Sequence, residues 1–420
     1  MTWEYTTLGE VAEILRGVTY KKDQASDSTF PGAIPLLRAT NIGSGLNLRE
    51  GLVYVPEDQV RAHQILVKGD IVLASSSGSL NVVGKSARLT EDWRGTFGAF
   101  CATIRPNQLV DSRFLAFFPQ SPKLRARWSE AARGTNINNL KRDDLTSTPL
   151  PLPPLEEQRR IVTILEDHLS RLDAADELLE HSARRAEALW WKAATEQLSR
   201  VQGEETRLGE IGALKNGIYV SRPGVAPNGA PILRIGAVRP MTLDLEDLRY
   251  TGMAEQAVEK LDGRASPGDL LFTRYNGNAE YVGACAVVPG SAPFLTYPDK
   301  LIRLRIENRN ALPEYVALAC SSGETRAQIR QARRTSAGQV GIAGRSLKQI
   351  SFHLPDIDTQ RRIISETREI RQEASRLNDV LQRALRRSAS LRRSLLSAAF
   401  SGRLTGSSPE MSAVSEMIGA

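Results

Sequence analysis

Pro149-Leu150-Pro151-Leu152-Pro153-Pro154-Leu155-Glu156-Glu157-Gln158-Arg159-Arg160-Ile161-Val162 sets the frame for the whole chain. Proline disfavours helix in the residue before it but suits a helix's first turn, so this stretch reads as an extended hinge from which a helix departs. Beyond it Leu165, Leu172, Leu179, Ala186 and Ala193 recur every seven residues. At the companion positions Ile161 and Leu189 fit a seam, whereas His168, Ser182 and Glu196 do not. A reduced copy of the hinge follows two hundred residues on: Leu354-Pro355-Asp356-Ile357-Asp358-Thr359-Gln360-Arg361-Arg362-Ile363-Ile364, which keeps Pro and Gln-Arg-Arg but loses the Glu pair. From there apolar or small residues at Ile363, Thr367, Ile370, Ala374, Leu377, Leu381, Ala384, Ser388, Leu391, Leu395 and Ala398 alternate in steps of four and three, with no Gly or Pro from Thr359 to Ser401. That is a coiled-coil seam.

The hinge belongs to a larger duplication. Leu8-Gly9-Glu10-Val11 returns as Leu208-Gly209-Glu210-Ile211, and Gly17 as Gly217. Ile34-Pro35-Leu36-Leu37-Arg38 returns as Ala230-Pro231-Ile232-Leu233-Arg234, Lys68-Gly69-Asp70-Ile71-Val72 as Pro267-Gly268-Asp269-Leu270-Leu271, and Val83-Gly84 as Val282-Gly283. The offset stays between 196 and 202 and the order never changes. A unit of this length is a duplicated domain with its helix, too long for a solenoid repeat. Each copy opens with about 150 residues of short β-branched runs between Gly-, Ser- and Asn-rich turns, with short helices expected near Ser112 to Phe118 and Pro313 to Cys320. The expected fold class is therefore α+β: two similar mixed α/β domains, 1–154 and 203–356, joined by two long antiparallel coiled-coil helices, 155–202 and 357–404, in an internal pseudo-twofold repeat, with a loose tail at 405–420.

Charge favours pairing the helices with each other over packing each on its own domain. Residues 155–200 carry 10 acidic and 7 basic side chains, net −3, and residues 358–403 carry 5 acidic and 11 basic, net +6. Opposite signs favour the mixed pair over like with like, and a chain that folds back on itself makes that pair antiparallel. A helix of some 46 residues would extend about 69 Å at about 1.5 Å per residue, close to two turns of B-DNA at about 34–36 Å each.

With 41% apolar and 25% charged residues the chain has an ordinary globular composition. Neither a secretory leader nor an apolar run long enough to cross a bilayer is visible, so no membrane association is expected. Cys101, Cys285 and Cys320 are odd in number and far apart, which suits a reducing cytoplasm better than a disulfide framework or zinc site. A net charge of +7 is compatible with a polyanionic partner such as nucleic acid.

Catalytic patterns are missing. In Gly78-Ser79-Leu80-Asn81-Val82-Val83-Gly84-Lys85-Ser86, five residues separate the glycines where a phosphate-cradling loop has four, and a strand-like segment follows instead of a helix. Gly43-Ser44-Gly45 lacks the third glycine of a dinucleotide fingerprint. His63, His168, His181 and His353 are scattered, none beside a cysteine at metal-ligand spacing. There is no Asn/Asp-Pro-Pro-Tyr motif to hold a target base, and Pro298-Asp299 has no acidic-x-Lys partner of a nuclease. The expectation is a binding protein with no cofactor, metal or catalytic residue of its own.

The paired Leu-Gly-Glu openings, the Gly-Asp strand starts, the Pro151–Val162 hinge and the closing stretch Leu391-Arg392-Arg393-Ser394-Leu395-Leu396-Ser397-Ala398-Ala399-Phe400-Ser401-Gly402-Arg403-Leu404 together resemble the specificity subunit of type I restriction–modification enzymes, over about residues 3–404. That resemblance implies that each globular domain reads one half of a split duplex-DNA target while the helices set the unread spacer. It implies two methyltransferase (modification) subunits docked on the helical region, methylating adenine from S-adenosylmethionine, and restriction subunits, ATP-driven translocases and nucleases, joining to cleave.

Arg and Lys suit guanine and Asn and Gln suit adenine, so loops rich in them are the candidate reading surface. In the first domain these are Ser75 to Asn81, with Ser75, Ser77 and Asn81, and Arg133 to Asn139, with Arg133, Thr135, Asn136, Asn138 and Asn139. Their counterparts in the second are Arg274 to Asn278, with Arg274, Tyr275, Asn276 and Asn278, and Arg333 to Gln339, with Arg333, Arg334, Thr335 and Gln339. The domains differ most within these loops, which predicts an asymmetric target. Lys21, Lys22, Arg38, Arg222 and Arg234 are weaker candidates for phosphate contact. Two other functions compete: a coiled-coil scaffold joining two protein-binding domains, and the recognition part of a self-sufficient DNA methyltransferase.

Overall fold

The computed structural model describes residues 3–134, 137–336 and 339–405. The chain forms two compact units, Met1–Leu179 with Gln382–Ala420, and Glu180–Leu381.

In the first unit the apolar run Ile71–Ala74 is the inner strand of a four-stranded antiparallel sheet, ordered Ala12–Arg16, Cys101–Pro106, Ile71–Ala74, Ser86–Arg88. All four of its residues are buried, which is why it shows no polar alternation. A smaller sheet places Ala33–Leu37 between Val53–Pro56 and, in parallel, Thr96–Phe97. Helices Ser112–Phe117 and Pro122–Ala131 cover the larger sheet, with Trp128 buried and its indole N–H donating to Thr148 Oγ1 at 3.0 Å. The second unit repeats the larger sheet in the same order and sense: Gly212–Asn216, Leu301–Ile306, Leu270–Thr273, Cys285–Val287, with helices Pro313–Ser321 and Gly323–Gln331.

The repeated motifs are joints of this plan. Each opening strand pairs with the strand that leads into the hinge, Tyr5–Thr7 with Pro149–Pro151 and Glu204–Arg207 with Ser351–Leu354, closing each head on itself. Glu10 accepts from the Thr7 N–H at 3.0 Å and Glu210 from the Arg207 N–H at 2.8 Å, which explains the glutamate of both Leu-Gly-Glu openings. A Cβ on Gly17 would lie 2.1 Å from Gly98 O, and one on Gly217 2.2 Å from Pro298 O, so only glycine lets the two backbones meet. In each Gly-Asp motif the aspartate accepts a bidentate arginine: Arg105 Nε and Nη2 reach Asp70 at 2.9 and 2.7 Å, and Arg305 Nε and Nη2 reach Asp269 at the same distances. Asp70 also accepts from Val67 N at 2.9 Å and Asp269 from Ser266 N at 2.8 Å, so each carboxylate also pins the turn before its strand.

The long helices run Leu155–Ser199 and Ile357–Ala399. Within the first unit, Ile161, Val162, Leu165 and Leu169 of the first share a core with Leu395, Leu396, Ala399, Phe400 and Leu404 of the chain's closing stretch. Phe400 packs 5.1 Å from the Phe114 ring and 5.2 Å from Phe118, so the head contributes to the same core. Asp173 pairs with Arg392, and Glu157 accepts from Thr405, an antiparallel progression. Within the second unit the Trp190 indole donates to Thr367 O at 3.1 Å, and the Arg371 guanidinium lies 5.1 Å over its ring. Each helix thus packs on the other and on a head, where the sequence posed these as alternatives.

The seam is less continuous than its spacing suggests. Ile363, Thr367, Leu381, Ser388 and Leu395 are buried, but Ile370 and Leu377 stay 37% and 46% exposed. On the first helix Leu189 is 55% exposed, and Trp190, one position on, fills the core instead. The indole is the larger apolar group and its N–H finds a buried partner, so it wins the inward position.

Both hinges are held by their glutamine. Gln158 Oε1 accepts from Asp111 N at 2.8 Å while its amide donates to Pro153 O at 2.8 Å; Gln360 accepts from Leu312 N at 2.9 Å and donates to Asn310 O and Pro355 O at 2.7 and 2.8 Å. Both side chains are buried. Gln158→Leu keeps the volume but orphans buried backbone groups, at a cost of about 1–3 kcal/mol each. Calorimetry is expected to show the first unit melting several degrees lower with the second unit's transition unchanged; an unaltered first transition would show that water replaces the amide.

Candidate nucleic-acid interface

In the first head the strand Ile71–Ala74 ends at Ser75, where the chain turns outward. Ser75 N and Ser76 N both donate to Phe100 O at 3.0 Å, and Ser75 Oγ donates to the same carbonyl at 3.1 Å. Beyond this anchor Ser76–Ser77 pairs antiparallel with Asn138–Asn139, Ser77 opposite Asn138. Asn138 Nδ2 donates to Ser77 O at 3.4 Å and Gly78 O at 3.3 Å. The two loops singled out in the sequence, sixty residues apart, form one ribbon. Asn81, Arg133 and Asn139 are exposed on it and Ser77 and Asn138 half-buried. Ser75 is buried and supports the ribbon from below. Thr135 and Asn136 lie outside the described residues.

The second head builds the same device with three strands. Arg274 N donates to Lys300 O and Ile342 N to Arg274 O, both at 2.9 Å, and Tyr275–Asn276 pairs with Gln339–Gly341, which pairs in turn with Arg334–Ser336. Arg334, Thr335, Gln339 and Asn278 are exposed, while Arg274, Tyr275 and Asn276 are half-buried. The Arg274 guanidinium lies 4.8 Å over the Tyr275 ring. Two candidates hold the platform together. Asn278 Oδ1 caps the turn at Glu280 N, 3.0 Å, and Arg333 donates to Ala279 O and reaches Glu280 at 3.3 Å. Burial alone would push the Glu280 carboxyl up; Arg330 and Arg333 outweigh it and hold it below the ordinary range. Ala337 and Gly338 of this loop lie outside the described residues.

Beneath each platform sits an arginine that sequence reasoning missed. Arg125 Nη1 donates to Val83 O at 2.7 Å and Nη2 to Asn81 O at 3.2 Å; Arg326 Nη1 donates to Val282 O at 3.1 Å and Nη2 to Glu280 O. Burial lowers the basicity of both guanidinium groups. Their offset matches that of the repeat, but the flanking residues differ (Lys123-Leu124 against Glu324-Thr325), so only spacing could have revealed them. Gly84 and Gly283 complete the brace at φ +80° and +72°, with a Cβ meeting Arg125 Nη1 at 2.4 Å and Ile329 Cγ2 at 2.3 Å.

Of the weaker phosphate candidates, Arg234 pairs with Asp247 and Arg38 donates to Gly51 O at 3.2 Å. Lys21 and Arg222 are exposed, and the Lys22 side chain lies outside the described residues. The segment resembling a phosphate loop runs into the strand Ser86–Arg88. No helix among the described residues is long and apolar enough to cross a membrane.

Residues 1–180 match the family model described as type I restriction modification DNA specificity domain. The chain is 35% identical over 418 residues to the type I restriction enzyme EcoKI specificity subunit of Escherichia coli (strain K12), covering 96% of this chain and 89% of that one. To the type I restriction enzyme StySPI specificity subunit of Salmonella potsdam it is 31% identical over 421 residues, with the same coverage. A chain from the solved structure named "Structural basis underlying complex assembly and conformational transition of the type I R-M system" superimposes with a TM-score of 0.69 at 19% identity, over 96% of this chain and 98% of that one, a likeness of fold.

Proposed function

This chain belongs to the DNA specificity subunits of type I restriction–modification enzymes, and from that premise we propose that its heads, residues 1–154 and 203–356, each read one half of a bipartite duplex target across a spacer set by the helical segments 155–202 and 357–404. One observation carries the reading: at corresponding places of the duplicated unit, each head joins its two amide- and arginine-rich loops into a single β-platform braced by an arginine, half-buried in the first head and buried in the second. A doubled platform of differing side chains fits two unlike half-sites. Asn81, Arg133 and Asn139 in the first head and Arg334, Thr335, Gln339 and Asn278 in the second are the exposed groups offered to base edges and phosphates.

The chain is the non-catalytic member of its assembly. Two modification subunits dock on the helical segments and methylate adenine, and restriction subunits join them to cleave. Leu189, Ile370, Leu377 and Val380 of the second unit offer exposed apolar contacts on those helices. A cytoplasmic location suits the three free, buried cysteines.

Mapping methylated adenines across the host genome is expected to return one asymmetric, interrupted motif. In the Arg133→Ala, Asn139→Ala double variant, one half of that motif is expected to relax by about tenfold or more in discrimination, since each good base contact contributes about 1–3 kcal/mol, with the other half unchanged. A motif without interruption, or relaxation of both halves together, would overturn the assignment. The chain is expected to be retained on duplex DNA and released steeply by added salt; no retention would favour a protein scaffold.

A further inference from the structure

The two platforms are built alike but dressed differently at their inner edge. In the first head the carbonyl of Phe100 accepts three hydrogen bonds from Ser75 and Ser76, fixing the backbone, while its ring stands 64% exposed. Across the ribbon, Ile137 precedes the Asn138–Asn139 strand and is 54% exposed. Both line one open cavity of about 920 Å³, with Val18, Tyr20, Ala39 and Val53, and with Ser76, Ser77 and Gly78 of the ribbon on its rim. In the second head the residue whose carbonyl anchors the platform is Lys300, and the residue directly before Val340, the counterpart of Asn138 in the ladder, is Gln339. Both are exposed. An apolar pair in one head thus stands where the other has an ammonium and an amide.

A large apolar pair held outward by a fixed backbone, beside amide donors, is costly to leave in water, and the major groove offers one apolar feature to cover it. Thymine carries a C5-methyl group, which side chains such as Phe contact, while the other three bases present only donors and acceptors there. We infer that Phe100 and Ile137 are specificity-determining residues that read a thymine methyl in the half-site of the first head. This inference rests on the reading of the heads as DNA-binding surfaces and deepens it.

The test uses the full chain, in the assembly it is isolated in, on its own mapped target duplex. Deoxyuridine replaces each thymine in turn, which removes one methyl group and leaves every hydrogen-bonding edge intact. For the unaltered protein, one or two thymines confined to one half-site are expected to lose about three- to fivefold in affinity on demethylation, in line with the transfer of one buried methyl group. Phe100→Ala and Phe100→Lys, the latter copying the second head, are expected to bind the thymine duplex more weakly and to lose the methyl dependence at that half alone. Because the ring is exposed, neither change removes a core contact. Uracil-insensitive binding by the unaltered protein, or a methyl effect that persists undiminished in Phe100→Ala, overturns the inference. Absence of specific binding to the thymine duplex itself refutes the underlying reading instead, so the two failures are separable.

Discussion

Removing seven residues from each long helix, 176–182 and 379–385, is expected to abolish methylation of the native target and transfer it to a target with the same two half-sites and a shorter spacer. A heptad shortens a helix by about 10.5 Å at about 1.5 Å per residue, or about three base pairs at the 3.4 Å rise of duplex DNA. It also preserves the face each helix presents to within about 20°. Shorter deletions would rotate the inward face away. Since recognition of one half alone forfeits every contact of the other, activity on the original spacing is expected to fall by at least a thousandfold, and selection from a library of duplexes with randomised spacer lengths reads the outcome. If the half-sites themselves changed while the spacer did not, the helices would not be acting as a ruler.

The second large effect is expected at the buried carboxylates. The Asp70 side chain is fully buried and holds both a guanidinium and a turn N–H. Asp70→Ala strips both at once and leaves Arg105, its side chain 23% exposed, with only the carbonyls of His63 and Ile65 to bond. Breaking a buried pair from one side costs about 3–5 kcal/mol, a large share of the about 5–15 kcal/mol by which native proteins are stable. The double variant Asp70→Ala, Arg105→Leu removes the stranded charge too and is expected to recover more than half of that loss. Denaturant titration of both variants decides it: equal destabilisation would mean that the turn hydrogen bond, not the ion pair, carries the energy. Asp269→Ala is expected to be at least as severe, because Arg303, itself buried, lies within 4.0 Å of the same carboxylate.

The sequence made the skeleton legible because its signals were local or periodic. The hinge prolines start both long helices within two residues of where they are found, and the Gly-Asp and Leu-Gly-Glu repeats mark turns whose side chains bond within three residues of themselves. What escaped was long-range. Nothing in Ser76-Ser77 names Asn138-Asn139 as its partner, because a two-residue strand carries no pattern. Arg105 recurs as Arg305 and Arg125 as Arg326, yet an arginine in a basic chain looks like a surface charge until its carboxylate or carbonyl partner is known. The same limit hid the tie of Arg333 to Glu280 and the hydrogen bond of the Ser75 hydroxyl to Phe100 O. Trp190 displaced Leu189 because helix periodicity locates a stripe to within one residue and shape decides the rest.

The first head's ribbon hangs outside the apolar cluster that folds that head: Ser77, Asn138 and Asn139 contribute nothing to it, and the brace beneath grips the backbone carbonyls of Asn81 and Val83 and no ribbon side chain. Substitutions at its exposed positions, Asn81, Arg133 and Asn139, usually shift stability by no more than about 0.5 kcal/mol. A lineage can therefore rewrite the recognition alphabet of such a head almost without penalty to folding, and a new target costs it only the loss of the old one.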